Sequence, residues 1–521
     1  MSKILIGNAS VIDGSGTPRF PGWVLIENER IQTVSRTPLN GEDARFVNAD
    51  GLILAPGFID AHAHSDLSLI AEPEAEGKIS QGITSEISGN CGLSAFPVQT
   101  PEVRSHLEKL YRIYEVPLTW HDFSSYTDAV AAARPAVNAG FLCGHNTLRA
   151  NVFGYAPAGG TPEEWHRERE LLRESLEQGA LGLSSGLLYT PGKFAPPEEL
   201  HIIASALRDF DAPYVTHLRS EGDRLLESVE EAMNIARAGS GRLHLSHLKT
   251  AQPRNWHKID GLLNKIAAAQ TGGLRVTADR YPYRYGQTSL SVILPPPYDS
   301  MTDAAIQQAL SASPAECRRI AKVLAGMTID WQKIILCSTG LPGMMCYAGR
   351  TLAEIAGLLQ RPAPELCTEW LSRDAVGTMA AFGGLSPENL RRIILQDYTC
   401  CGTDETARPC SERIGRSHPR GFGSFPRFIR LCRQAGQPLE TVIARLTSLP
   451  ARIFSLPDRG MIRAGFYADL ILFSESELSD RADFRTPHAV SSGLHSVYVN
   501  GTLSFSGGRI CARQGKILKK C

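Results

Sequence analysis

Ala55-Pro-Gly-Phe-Ile-Asp-Ala-His-Ala-His64, followed at once by Ser65-Asp66, reads as a buried strand that ends in two histidines. Residues two apart on an extended chain point to one face, so His62 and His64 aim two imidazoles at the same place. Paired imidazoles are a common half of a metal site. An isolated His-x-His is more often a solvent-exposed pair, so the reading turns on whether other ligands arrive at the same rim. His217 closes the apolar run Tyr214-Val-Thr-His217, and His247 closes Leu243-His-Leu-Ser-His247. Each sits at the C-terminal end of an expected strand, one strand-helix unit apart, which in a parallel barrel makes them neighbours on the catalytic rim. Asp404, in Cys401-Gly-Thr-Asp404, adds a carboxylate after the run 393–400.

Working outward from this stretch, apolar β-rich runs alternate with helical segments, the pattern of repeated βα units. Eight runs are expected: 52–62, 83–89, 136–143, 180–184, 213–217, 242–247, 274–279 and 393–400. Helices fit between them, for example Pro162 to Gln178 with Thr161 as N-cap, and Arg224 to Ala238. The run Lys333-Ile-Ile-Leu-Cys-Ser338 competes for the eighth place, and 393–400 is preferred because it delivers Asp404. Between the seventh and eighth runs, 287–390 is too long for a plain connection and is expected to lie over the barrel mouth as a lid. It contains Leu294-Pro-Pro-Pro297 and an amphipathic segment from Asp303 to Leu324.

The first fifty residues break into short strands, 3–6, 9–12, 23–27 and 30–35, and similar strands return at 469–473 and 496–510, with a hairpin at Asn500-Gly501. The two ends are expected to share one sheet. The expected fold class is therefore α/β: a (β/α)8 TIM barrel over 56–455, carrying the lid, with a small β-sandwich domain composed of 1–55 and 456–521.

Lys plus Arg and Asp plus Glu both number 54, so no net field favours nucleic acid or an anionic membrane, and a small-molecule partner is expected. No run of about 18 apolar residues appears, and the start, Met1-Ser-Lys-Ile-Leu-Ile, lacks the apolar core of a secretory leader. A cytoplasmic protein is expected. Its twelve cysteines are scattered with no Cys-x-x-Cys spacing, which suits reduced, buried thiols.

A His-x-His on strand one, single histidines on strands five and six and an aspartate after strand eight together resemble the amidohydrolase superfamily over nearly the whole chain. The fourth run, Ala180-Leu-Gly-Leu-Ser-Ser185, has no lysine to bridge two metals. Gly89-Asn-Cys-Gly92 at the end of strand two instead resembles the N-acyl-D-amino-acid deacylase branch, in which such a cysteine is a metal ligand. Ser185-Gly-Leu-Leu-Tyr-Thr-Pro191, Ser246-His-Leu-Lys249, Asp279-Arg-Tyr-Pro-Tyr283 and Ser417-His-Pro-Arg-Gly-Phe-Gly423 extend the likeness.

The resemblance implies zinc, with Cys91, His217 and His247 at a tighter position and His62, His64 and Asp404 at a second that is weaker or vacant. It implies an N-acyl-D-amino acid as substrate, with Tyr189, Lys249, Tyr283 and Ser289 holding it and Lys249 pairing its carboxylate. Arg420 is a second candidate clamp. A carboxylate leaving water needs such donors. Asp404 is the expected proton carrier of a metal-assisted amide hydrolysis. Glu405-Thr-Ala-Arg408 follows Asp404, where relatives commonly carry glycine, and an extra carboxylate there can shift substrate preference. A dipeptide or cyclic-amide hydrolase and a non-catalytic barrel subunit are the rival readings. Intact ligands speak against the subunit, and the cysteine speaks against the lysine-bridged hydrolases.

Overall fold

Eight short strands, all parallel to their neighbours, follow one another through the computed structural model, which describes residues 3–157 and 159–520. They are β1 (Phe58–Asp60), β2 (Ile83–Ser88), β3 (Asn138–Phe141, resumed as Cys143–Gly144), β4 (Leu183–Gly186), β5 (Tyr214–His217), β6 (Arg242–Leu245), β7 (Arg275–Asp279) and β8 (Thr399–Cys400). Each pairs in parallel with the next. The two ends of the series also meet: Ala61 N–H donates to Cys401 O at 3.4 Å, and Ala63 bridges Glu405 in parallel. β2, β5 and β6 are buried at every position, because helices cover them and no face is left for water.

The intervening helices begin where the side chains dictate. Pro162–Glu177 starts on a capping box: Thr161 Oγ1 accepts from Glu164 N–H, and the Glu164 carboxylate accepts from Thr161 N–H at 2.8 Å. Its buried face carries Leu171, Leu172 and Leu176.

Three expected elements are corrected. The run 52–62 is two strands: Ile53–Pro56 pairs in the sheet formed by the chain ends, and only Phe58–Asp60 joins the parallel series, with His62 and His64 just beyond it. The run 393–400 is strand only at Thr399–Cys400; its beginning completes a helix, Pro387–Ile394. Ser386 caps that helix, Pro387 sits in its first turn, and Leu390, Ile393 and Ile394 fall on one buried face, so the period is helical. The amphipathic segment 303–324 is two helices, Asp303–Ser311 and Pro314–Gly326, because Ser313 caps a new helix that Pro314 opens.

Between β7 and β8, the segment 286–382 folds around its own apolar cluster, which includes Leu290, Ile306, Leu324 and Trp370. Its strands Gly286–Ser289, Met379–Phe382 and Ile334–Ser338 form an antiparallel sheet, so the run 333–338 lies outside the parallel series. The segment is tied to loops on the C-terminal side of the strands. Lys193 Nζ donates to Asp299 O at 2.6 Å, Thr190 Oγ1 to Ser300 O at 3.3 Å, and Arg112 Nη2 to Asp374 Oδ1 at 2.6 Å.

Strands from both ends of the chain form one branched nine-stranded sheet. Leu470–Phe473 runs antiparallel to Ile53–Pro56, which in turn lies parallel to Lys3–Val11. The hairpin turns at Asn500 and Gly501, whose φ angles of 49° and 76° suit the two-residue loop that matches strand twist. This sheet has its own core, including Ile6, Val11, Val24 and Leu470. Met1, Ser2 and Cys521, the extremities of the expected end segments, lie outside the described residues. Among the described residues no helix is long and apolar enough to cross a membrane, and all eleven cysteines there are unpaired.

Candidate metal centre

The strand ends deliver their ligands to one place. His62 Nε2 and His247 Nε2 lie 3.4 and 3.5 Å from Cys91 Sγ, and Asp404 Oδ1 is 3.5 Å from His62 Nε2 and 3.0 Å from His64 Nε2. One donor atom each of His62, Cys91, His247 and Asp404 falls within 4.8 Å of the others; His217, Glu221 and His247 make a second such group sharing His247. The His217 ring is stacked edge-on against His247, with centroids 4.5 Å apart, and both of its nitrogens are buried without a hydrogen-bond partner. The nearest acid, Glu221 Oε2, is 3.8 Å from His217 Nε2, and a ring nitrogen kept dry without a hydrogen bond is costly unless its lone pair is taken up, which a metal ion does.

The backbone bends to make this convergence. Cys91, His247 and Asp404 have φ angles of 55°, 34° and 53°, left-handed conformations that L-residues avoid and that gather at functional sites. Gly402 lets the Asp404 loop close on β1, since a Cβ there would stand 2.5 Å from His62 Cβ and 2.8 Å from Asp279 Oδ1.

A buried acid behind His62 fixes which of its nitrogens faces inward. Asp279 Oδ2 lies 3.1 Å from both His62 Nδ1 and His244 Nε2, while its Oδ1 accepts from His247 N–H at 3.0 Å. A proton on His62 Nδ1 directed at Asp279 leaves Nε2 to the site. At His247, Nδ1 faces both Glu221 Oε1, at 3.0 Å, and the Lys249 ammonium, at 2.8 Å. Asp404 Oδ2 accepts from Arg420 Nη1 at 2.6 Å, leaving Oδ1 turned to the histidines.

Electrostatics favour anionic donors. Burial opposes a thiolate at Cys91, but the imidazoles of His62 and His247 outweigh it and hold the thiol well below its ordinary range. Burial likewise opposes the Asp404 carboxylate, yet Arg420 and His64 hold it well below the usual value. Thiolate, imidazole and carboxylate within reach of one point are the donor set of zinc.

Of the residues expected to hold a substrate, Lys249 is nearest the centre: Nζ lies 2.8 Å from His247 Nδ1 and is also paired with Glu221. Tyr189 packs edge-on against His217, with centroids 4.9 Å apart. Tyr283 is buried, its hydroxyl donating to Pro419 O at 3.3 Å. Ser289 Oγ lies 2.9 Å from Ser291 Oγ and donates to Ala375 O at 3.3 Å, so its hydroxyl is engaged inside the segment 286–382. Glu405 is buried but outside both ligand groups; Thr406 N–H and Arg408 Nε donate to its Oε1 at 3.1 and 3.4 Å. Its charge is thus paired with that of Arg408.

Sequence reasoning had not singled out Asp279, Glu221 or His244. Asp279 obeys the rule that found the histidines, a polar side chain at the C-terminal end of a parallel strand. Glu221, four residues beyond His217 in a loop, carries no comparable signal.

The amidohydrolase family pattern matches residues 45–317 and 423–505. Over 99% of this chain and 96% of the other, the sequence is 33% identical to an N-acyl-D-glutamate deacylase of Alcaligenes xylosoxydans xylosoxydans. Among solved structures, the N-acyl-D-glutamate deacylase of Bordetella bronchiseptica, complexed with zinc and a phosphonate mimic of the tetrahedral intermediate, superposes with a TM-score of 0.83 at 30% identity, covering 99% of each chain. A D-aminoacylase studied for its binuclear metal centre, with one-metal activation and second-metal attenuation, gives 0.81 at 29% identity over 99% of each chain.

Proposed function

Given that this chain belongs to the amidohydrolase family and to its D-aminoacylase branch, we propose that it hydrolyses the amide bond of N-acyl-D-amino acids, releasing a carboxylate and a free D-amino acid. The observation that carries the reading is the convergence of His62, Cys91, His247 and Asp404 within 4.8 Å, beside a His217 whose ring nitrogens are buried without hydrogen bonds. Full-length likeness to deacylases of N-acyl-D-amino acids supports the substrate class.

In this reading β1 to β8 close as a (β/α)8 barrel over 56–455, with 287–390 as its lid and 1–55 and 456–521 as a composite β domain. Cys91, His217 and His247 would hold one zinc ion, and His62, His64 and Asp404 would face a second, weaker or vacant position. When bound, zinc polarises the scissile carbonyl and makes water acidic enough to attack near neutral pH. The chain's own residues do the rest. Asp404 Oδ1, free of the Arg420 contact, accepts the proton of the attacking water and returns it to the departing nitrogen. Lys249 Nζ, with Arg420 as a second cation, pairs the substrate carboxylate, and Tyr189, Tyr283 and Ser289 contribute the remaining polar and aromatic contacts. The segment 286–382 excludes water from above.

The experiment compares hydrolysis of N-acetyl-D-amino acids, their L-forms and hydantoins by zinc-loaded protein. Turnover confined to L-forms or to cyclic substrates overturns the deacylase reading. Asp404→Asn is expected to retain zinc at the tighter position and to lose about 10²- to 10⁴-fold in kcat, the usual contribution of a positioned acid-base group. A variant near wild-type activity removes Asp404 from the mechanism.

A further inference from the structure

The mechanism uses the Asp404 side chain, but its backbone is held by residues with no part in the chemistry. Lys78 is buried completely on the short helix Glu76–Ile79, beneath the site. Its Nζ donates to Asp60 Oδ2 at 2.8 Å, Thr403 Oγ1 at 2.7 Å and Glu405 O at 2.8 Å, and pairs with Glu86 at 3.2 Å. Asp60 Oδ1 accepts from Thr403 N–H at 2.9 Å and from His62 N–H at 3.2 Å, while Oδ2 accepts from the Thr403 hydroxyl at 2.6 Å. The Thr403 oxygen in turn accepts from Glu405 N–H at 3.3 Å. Both neighbours of Asp404 are thus gripped, and the same acid reaches the backbone of His62.

That grip matters because of the conformation it encloses. Asp404 sits at φ 53°, which persists only when its surroundings over-determine it. Its N–H donates to His62 O at 2.7 Å, and Glu405 O accepts from His64 N–H at 3.2 Å. The loop is therefore registered residue for residue against the strand end that carries His62 and His64. A hydroxyl that donates to Asp60 and accepts from Lys78 and Glu405 N–H is the joint of this register.

We propose that Thr403, gripped by Asp60 and Lys78, is a positioning residue: it fixes the backbone on both sides of Asp404 and so sets where that carboxylate stands. The inference rests on the role assigned to Asp404 above. Replacing Lys78 or Asp60 would leave buried charge unpaired and endanger folding, so Thr403→Val is the informative change. It keeps shape and β-branching, removes one donor and one acceptor, and leaves all three charges in place.

With the N-acetyl-D-amino acid that wild type cleaves best, Thr403→Val is expected to lose about 10- to 100-fold in kcat, the usual range for a group that orients a reacting residue. KM should change less than about twofold and zinc content should stay near wild type, while the melting temperature falls modestly because the buried Glu405 N–H loses its acceptor. Thr403→Ser, which restores the hydroxyl, should recover most of the loss; should the valine variant fold poorly, Ser against Ala gives the same comparison. Unchanged kcat in the valine variant overturns the proposal. So does a loss that serine fails to recover, or one that tracks zinc loss. Wild type inactive on every N-acetyl-D-amino acid, or an active Asp404→Asn, marks failure of the underlying reading instead. Inactivity of Asp404→Asn beside a fully active Thr403→Val marks failure of this inference alone.

Discussion

Asp279→Asn tests whether the buried acid behind the histidines shapes the metal site. The wild-type carboxylate receives three hydrogen bonds, from His62 Nδ1 and His244 Nε2 on one oxygen and from the His247 amide on the other. An asparagine can offer one oxygen only. With that oxygen toward the histidines, its NH2 confronts the His247 N–H, leaving a buried donor unpaired at about 1–3 kcal/mol. The two imidazole bonds then lose their charge assistance, which roughly halves their strength. Part of this falls on folding stability. The part that falls on the metal is the loosened orientation of His62 and His247, for which a 10- to 100-fold loss of zinc affinity is typical, about 1.4–2.7 kcal/mol. Competition with a chromogenic chelator at fixed pH measures it directly, and kcat at saturating zinc reports what remains when the site is refilled. A dissociation constant within about twofold of wild type would refute the reasoning, because His62 and His247 would then hold their orientation without Asp279.

Dialysis against a chelator should lower the melting temperature and abolish activity, and zinc should restore both, since an ion bound only by the folded chain at a thousand times its dissociation constant adds about 4 kcal/mol. A melting temperature indifferent to zinc would contradict a zinc site assembled only in the folded chain. Lys249→Met should lower kcat/KM for N-acyl-D-amino acids about 10- to 100-fold, from the roughly 1.5–3 kcal/mol of a hydrogen bond to a charged group, with zinc content unchanged; an unaltered kcat/KM removes Lys249 from the carboxylate site. Away from the centre, burial and the neighbouring Glu199 push the Glu168 carboxyl up to about 9. Its unfolded value is about 4.3, so the folded chain holds the extra proton between these limits. The contribution to stability is complete below about 4.3 and is lost as pH rises towards 9, at up to about 1.4 kcal/mol per pH unit. Thermal melts from pH 5 to 9 should show a flatter profile for Glu168→Gln than for wild type, and parallel profiles would mean that Glu168 is already ionised.

Much of this protein could be read along the chain. Apolar runs leading into histidine announced β1, β5 and β6, although only β5 ends on one: β1 stops at Asp60 and β6 at Leu245, and the histidines follow in the loops beyond. The same logic reached Asp404 but misjudged the run before it: 393–394 are apolar in a helical period that only Ser386 and Pro387 reveal, so β8 shrank to two residues. The segment 303–324 looked like one amphipathic helix because an interruption at Ser313-Pro314 scarcely disturbs a hydrophobic pattern.

What the sequence offered by itself was a set of candidate groups and the order in which the strands present them: His62, His64, His217, His247 and Asp404 from their places at the ends of expected strands, and Cys91 from the family resemblance of its motif. Only the tertiary structure decided how these groups are oriented and charged. Asp279 reaches back 217 residues to His62, Lys78 reaches forward 325 to Thr403, and Arg420 reaches around to Asp404. Such contacts leave no period in the sequence, because hydrogen bonds and desolvation depend on distance in space, and folding alone sets that distance.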